Sequence, residues 1–315
     1  MDRFLQLEQV LEEKLPLLVL RKQEPMQKHT AFRIGGPARL MAFPKNKKEL
    51  SELCRLASAC DIKPYFMGNG SNLLVADEGL DALVIKLHDG LSEMRLLDDG
   101  CLFAESGVLL SKVASFAKEH SLSGLEFAHG IPGTVGGAVM MNAGAYGGEM
   151  KNVVIRTEFC NVSTGLPGFL SGDEHQFAYR NSVFSDGSRI ITGVYFQLTP
   201  GDPIKIEQKM EELAHRRRES QPLEMPSAGS TFKRPTGHYA AALIDQAGLK
   251  GFSVGGAQVS SKHAGFVVNY DHATCQDVLA LISEIKTIVK EQFGVLLELE
   301  VKVWPSDTRA PEQGE

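Results

Sequence analysis

Two glycine-rich stretches hold the residues whose spacing most clearly suits chemistry. Gly68-Asn69-Gly70-Ser71-Asn72 lies between two apolar runs. Glycine there lets backbone N–H groups face one concavity while Asn and Ser add short donors, a nest suited to phosphate oxygens. A hairpin turn filled with turn-forming residues is the competing reading. The second stretch, Gly130-Ile131-Pro132-Gly133-Thr134-Val135-Gly136-Gly137-Ala138, continues through Asn142-Ala143-Gly144-Ala145-Tyr146-Gly147-Gly148. From Gly124 to Gly148, 25 residues contain eight glycines and no Lys or Arg, so ordinary helix or strand is not expected there. Ordering so much glycine loses backbone entropy, which something lying close to the main chain must offset. A dinucleotide pyrophosphate is one candidate and close helix-to-sheet packing through small residues is the other. The G-x-G-x-x-G fingerprint of the Rossmann turn does not occur in it.

Other chemistries lose ground on composition. The five cysteines, Cys54, Cys60, Cys101, Cys160 and Cys275, are scattered and contain no C-x-x-C pair, which argues against a disulfide framework or a zinc site; no metal is expected. HExxH, a GKS/GKT phosphate loop and GxSxG are absent. A net charge of −6 lacks the footprint of a nucleic-acid coater. No apolar run approaches the roughly 18 residues of a membrane span, and Met1-Asp2 does not open like a signal peptide. The expectation is a cytoplasmic protein without a nucleic-acid partner.

The elements that must position these loops are legible from periodicity. Apolar residues among Glu and Gln predict a helix over 2–15. Asn46, followed three residues on by Glu49, starts a second helix with its stripe at Leu50, Leu53, Leu56 and Ala57. Runs 64–67, 73–76 and 83–87 read as short strands, 96–108 as a hairpin turning at Asp98-Asp99-Gly100, and 109–122 as a helix. Strands return between Val153 and Thr199, and Gly201-Asp202-Pro203 marks a boundary. Beyond it come a charged helix ending in Arg216-Arg217-Arg218, a Pro/Ser/Gly loop at 222–230, a short helix over 239–247 and a strand at 264–270. Thr274 caps a long helix that stops at Gly294. The last strand, Val295 to Val303, alternates so that Glu298, Glu300 and Lys302 share one face. Without a regular βαβ period, this is an α+β protein with two lobes.

At this point the residues carry a resemblance. The runs HTAFRIGGPA at 29–38, GNGSN at 68–72, GLEFAHGIPGTVGGAVMMNAGAYGGE at 124–149, YRNSVF at 179–184 and PSAGSTFKRP at 226–235, in that order, closely resemble the UDP-N-acetylenolpyruvoylglucosamine reductase (MurB) family. Only 50 residues separate Arg180 from Ser230, so the chain looks like the short, type II-like form, without the extra loop that closes over substrate in the long form. His129 stands where a small residue is more usual.

The resemblance implies a vanillyl-alcohol-oxidase/PCMH-type FAD-binding module followed by a smaller α+β substrate-binding domain. The expected division is a lead-in over 1–28, an FAD-binding domain over 29–200 in two parts (about 29–88 and 89–200), a substrate domain over 201–305 and a polar tail over 306–315. It implies non-covalent FAD, NADPH as co-substrate, and reduction of UDP-N-acetylglucosamine enolpyruvate to UDP-N-acetylmuramate for peptidoglycan, by a monomer. Arg180 matches the family's basic residue beside the substrate carboxylate, Ser230 its proton donor and Glu300, in LELEV, its acidic residue. Gly68, Asn69, Gly70, Ser71, Asn72, Ile131, Pro132, Gly133, Thr134, Gly136, Gly137 and Gly144 are expected to line FAD, and Tyr146, Tyr179, Lys233 and His263 the substrates. Arg216 to Arg218 could reach a phosphate or simply complement the end of their helix. The rivals are an FAD oxidase on the same scaffold, with His129 as a covalent anchor, and a non-catalytic flavin or nucleotide-sugar binder.

Overall fold

The computed structural model describes residues 2–88, 90–97 and 100–308, so the tip of the expected hairpin at Asp98-Asp99 and the tail beyond residue 308 lie outside the described residues. Seven helices are described: α1 (Arg3–Lys14), α2 (Lys47–Ala59), α3 (Leu110–Glu119), α4 (Val135–Met140), α5 (Pro203–Ser220), α6 (Ala240–Gln246) and α7 (Cys275–Phe293). The chain divides into two compact units, each drawn from three segments. The first takes Met1–Lys22, Leu40–Asn69 and Ala82–Arg216; the second takes Gln23–Arg39, Gly70–Asp81 and Arg217–Glu315. Gly201-Asp202-Pro203 therefore does not separate them. Pro203 opens α5, suited by its fixed φ to the first helical turn, and the helix runs past the point where the units part.

In the first unit a five-stranded antiparallel sheet has the order 167–171, 154–161, 189–196, 102–105, 94–96. Leu102, Ala104, Val194 and Phe196 from this sheet form one core with Val113 and Ala117 of α3 and Val135 and Val139 of α4. A second core gathers Phe4, Leu7 and Leu11 of α1 with Leu50, Leu53 and Leu56 of α2 over Leu40, Leu83 and Ile85. Each large aliphatic buried in this way contributes about 1.5–3 kcal/mol. α2 begins as expected, with Asn46 Oδ1 accepting from the Glu49 amide at 3.0 Å. The Glu49 carboxylate reaches one residue further back than a capping box would, to the amide of Lys45 at 2.8 Å.

The second unit builds around α7, whose Val278, Ile282, Ile285 and Val289 recur at helical spacing and are buried with Leu243 and Ile244 of α6 and Val259 and Val267 of a three-stranded antiparallel sheet. Both ends of α7 follow the sequence expectation: a capping box joins Thr274 and Asp277, and Gly294 closes the helix in the left-handed region at φ 70°.

Four further expectations are corrected. The stretch 124–148 is not free of helix, because Thr134 caps the six-residue α4 inside it. The strands flanking 68–72 do not form a hairpin: Tyr65–Met67 pairs in parallel with Leu80–Lys86, whereas Leu73–Val75 pairs in parallel with Lys302–Trp304. The final strand covers only Lys302–Trp304, although the alternation persists upstream, with Leu297 and Val301 buried and Glu298 exposed. The helix expected over 109–122 ends at Glu119, leaving Leu122-Ser123 to pair with Thr199-Pro200.

Burial pushes the Asp277 carboxyl up, but hydrogen bonds from the Thr274 amide, the Gly256 amide and the Thr274 hydroxyl outweigh it and hold its pKa below the usual range. Asp277 therefore stabilises the fold above the ordinary carboxylate pKa, and that contribution is lost as pH falls through the depressed value. Asp277→Asn should lower the urea unfolding free energy at neutral pH by an amount on the order of 1 kcal/mol, as for one helix cap. Its deficit should shrink as the pH is lowered, and a deficit independent of pH would place the loss in packing.

Candidate active site

Within the first unit the two glycine stretches meet. Asn69 Nδ2 donates to the Pro132 carbonyl at 3.0 Å. A Cβ on Gly68 would fall 2.2 Å from Thr134 Oγ1, and one on Gly136 would fall 2.9 Å from Ser106 Cβ. At these two positions glycine is demanded by the protein's own close packing, so that competing reading holds for them. Gly137 differs, since the nearest atom to an added Cβ, Thr134 Oγ1, is 3.6 Å away. The loop closes on the sheet through Val135 N to Val108 O at 2.8 Å and Gly136 N to Ser106 O at 2.9 Å. The amides of Asn69, Gly133 and Thr134 donate to no acceptor among the described residues.

Arg180 sits in a tight turn. Ala178 and Asn181 exchange both backbone hydrogen bonds, at 3.0 and 3.2 Å, leaving Tyr179 and Arg180 at the tip with Arg180 at φ 55°. Its guanidinium lies 5.0 Å from the Tyr179 ring centroid, and its Nη2 reaches 3.5 Å from the Gly144 carbonyl. Gly144 in turn pairs with Glu149 across a short ribbon, within which Tyr146 is half exposed at φ 52°. Ser182 Oγ donates to the Met140 carbonyl at 2.8 Å, tying the end of the YRNS run to the last residue of α4. Sequence reasoning missed the buried Asn142, whose Nδ2 donates to Glu149 Oε2 at 2.7 Å and to Ala178 O at 3.1 Å.

The second unit brings Ser230 and Glu300 to one place by main-chain pairing. The Glu300 amide donates to the Thr231 carbonyl at 2.9 Å and the Lys233 amide to the Glu298 carbonyl at 2.8 Å, so 231–233 runs antiparallel to 298–300. Thr231 is buried and fixed from its other side, its amide bonding Gly265 O and its hydroxyl accepting from the Val267 amide at 3.0 Å. Ser230, next to Gly229 at φ 75°, makes no hydrogen bond among the described residues, so it is not the self-bonded turn hydroxyl that a Pro/Gly loop would suggest. Asn72 joins the same cluster, its Nδ2 donating to the Glu300 carbonyl at 3.2 Å and its carbonyl accepting from the Lys302 amide at 3.0 Å. The amides of Gly70, Ser71 and Asn72 have no acceptor among the described residues. Lys233 pairs with Glu298 at 3.3 Å. His263 is held with Nδ1 accepting from the Gly265 amide at 3.1 Å, and its pKa is lowered by burial. Lys262 Nζ bonds the Arg218 carbonyl at the end of α5, and Arg216 pairs with Glu212, so this helix end is engaged within the protein.

Comparison with known proteins now decides the family. A family model for the UDP-N-acetylenolpyruvoylglucosamine reductase C-terminal domain matches residues 221–304, and one for an FAD binding domain matches residues 38–166. The UDP-N-acetylenolpyruvoylglucosamine reductase of Agathobacter rectalis is 50% identical over 302 residues, covering 92% of this chain and 96% of that protein. The chain belongs to the UDP-N-acetylenolpyruvoylglucosamine reductase family. The Clostridioides difficile reductase is 43% identical over 288 residues, covering 91% of this chain and 94% of that one. The crystal structure of the reductase from Thermus caldophilus matches with a TM-score of 0.79 at 36% identity, over 91% of this chain and 100% of that chain.

The residues present fit the flavin dinucleotide expected of this family. Beside the glycine loop, Ser106 is buried with an Oγ that finds no partner, and the buried His129 Nδ1 is likewise unpartnered among the described residues. Buried polar atoms of this kind are rare and call for a ligand or water, and the unpaired amides of 69, 133 and 134 offer the donors an anionic group requires. Ser106 carried no signal in the sequence, because a serine ending a strand is unremarkable until Gly136 is found against it. No group of His, Cys, Asp and Glu among the described residues could hold a metal.

Gly68→Ala should force Thr134 aside, lowering both the thermal midpoint and the flavin absorbance of the purified protein. Adding Thr134→Gly makes room for the methyl at small cost, since glycine is tolerated at an N-cap. The double variant should regain the thermal midpoint, and failure to regain it would show that the methyl obstructs something other than Thr134.

Proposed function

We propose that the chain reduces UDP-N-acetylglucosamine enolpyruvate to UDP-N-acetylmuramate in peptidoglycan precursor synthesis, with NADPH as reductant and non-covalent FAD as carrier. FAD, when bound, takes hydride from NADPH and supplies it to the methylene carbon of the enolpyruvyl group. The observation that supports the reading best is the backbone pairing of 231–233 with 298–300, which holds the segment next to Ser230, whose hydroxyl has no partner among the described residues, against the main chain of Glu300.

The residues divide the work by charge and proton. Hydride arrival at the methylene carbon builds enolate charge that spreads onto the substrate carboxylate. Arg180, always cationic and able to grip a carboxylate through two N–H groups, stabilises that charge as it forms. Ser230 delivers the proton to the adjacent carbon, an assignment that suits a hydroxyl committed to no other partner. Glu300, when protonated, donates to the same carboxylate and draws charge toward it. Gly68 to Asn72, Ile131 to Thr134, Gly136, Gly137 and Gly144 hold the dinucleotide, and Tyr146, Tyr179, Lys233 and His263 line the approach of the substrates. The enzyme acts as a cytoplasmic monomer; no helix among the described residues is long and apolar enough to cross a membrane.

The buried, unpartnered His129 Nδ1 favours a second reading, an oxidase on the same scaffold with FAD linked through histidine. Acid precipitation separates the two: a colourless pellet under a yellow supernatant is expected, and a yellow pellet would carry the assignment to the oxidase. The reductase should also be bleached by NADPH and recover its colour without oxygen when the enolpyruvyl substrate is added. Ser230→Ala should leave the bleaching nearly intact and slow the recovery by orders of magnitude, because only recovery needs carbon protonation. Equal slowing of both halves would remove Ser230 from that role.

A further inference from the structure

Arg180 is carried by a two-residue turn at the protein surface, a place where backbone is normally free to shift. Its charge is useful only if its direction is fixed before substrate arrives. The side chain that fixes the turn lies 38 residues earlier in the chain and comes from the interior. Asn142 is 1% exposed and itself adopts φ 42°, a left-handed conformation that asparagine tolerates better than most residues. Its amide group is almost fully used: Oδ1 accepts from the Lys151 amide at 3.0 Å, and Nδ2 donates to Glu149 Oε2 at 2.7 Å and to the Ala178 carbonyl at 3.1 Å. Ala178 is the first residue of the Arg180 turn, and Glu149 pairs with Gly144, whose carbonyl accepts from Arg180. One planar group therefore ties the turn that carries the guanidinium to the ribbon that receives it.

We infer that Asn142 is the positioning residue for Arg180, holding the Ala178–Asn181 turn in register with the Gly144–Glu149 ribbon. The inference rests on the proposed role of Arg180, but the anchoring and the role have separate readouts. Both N–H groups of Asn142 are needed, one for each side. No other residue type of this size offers two donors and an acceptor in one plane.

Asn142→Asp keeps the acceptor for Lys151 and replaces both donors with a carboxylate facing Glu149 and the Ala178 carbonyl. It should lower the thermal midpoint, raise amide hydrogen exchange in the peptide spanning 178–181, and slow flavin reoxidation by substrate about tenfold or more, since small misplacements of a catalytic group cost up to about a hundredfold. Adding Glu149→Gln supplies a donor to the new carboxylate and restores the ribbon bond, but that carboxylate still cannot donate to Ala178. The double variant should regain thermal stability while exchange at 178–181 stays fast and substrate reduction stays slow, with the KM for the enolpyruvyl substrate raised and NADPH bleaching unchanged. If the double variant regains substrate reduction together with stability, Asn142 is structural only and the inference is overturned. If exchange at 178–181 is unchanged in Asn142→Asp, the anchoring itself is overturned. Arg180→Lys tests the underlying reading separately: normal substrate reduction in that variant would sink the role of Arg180 while leaving the exchange result to judge the anchor.

Discussion

The site depends on main chain lying closer to other groups than any side chain would permit. Gly68 lies against Thr134, Gly136 against Ser106 and, in the second unit, Gly70 against the His29 carbonyl, where an added Cβ would fall 2.0 Å away. A methyl group at any of these points must displace backbone or a buried side chain, which well-packed interiors resist at a cost of about 1–3 kcal/mol. Because the glycines yield this space, Asn69 can reach the Pro132 carbonyl, and amides on both loops are left without acceptors among the described residues. The same bareness that looks wasteful in the sequence creates donors that a side-chain-rich loop would have covered.

Helix ends were the most legible part of the chain because their chemistry is local. Asn46, Thr274 and Gly294 each act within four residues, and each stands at the terminus that its residue type suggested. Strand pairing was not legible in the same way. Leu73–Val75 finds its partner at Lys302–Trp304, more than two hundred residues on, and nothing in a three-residue apolar run specifies such a neighbour. The helix α4 escaped notice for a related reason. Gly136 and Gly137 argue against helix by propensity, yet Thr134 supplies the cap and Val135, Ala138 and Val139 supply the buried face, so tertiary packing overrode the local preference.

The candidate site divides along the same line. Arg180, Ser230 and Glu300 are proposed from their motifs, and the structure adds that Ser230 has no hydrogen-bond partner among the described residues and that its neighbour Thr231 pairs with Glu300 through the backbone. Asn142 and Ser106 were not readable, because what distinguishes them is their surroundings. Asn142 matters through partners at 149, 151 and 178, and Ser106 through a glycine thirty residues away. A residue whose purpose is to hold another has no chemistry of its own to advertise.

In both units the segments that carry the residues proposed to react are held by hydrogen bonds to main-chain groups. Thr231 is clamped from two sides and carries Ser230 with it; Glu300 is set by its amide and by Asn72 on its carbonyl. Arg180 is set by the Ala178–Asn181 exchange. Such an arrangement separates positioning from reaction. Main-chain bonds do not change protonation state, so in the proposed reaction the scaffold would hold its geometry while a proton left Ser230 and charge gathered beside Arg180. A serine held instead through its own hydroxyl would have to break that bond at the moment its proton was needed, adding the loss of a hydrogen bond, about 0.5–1.5 kcal/mol, to the barrier.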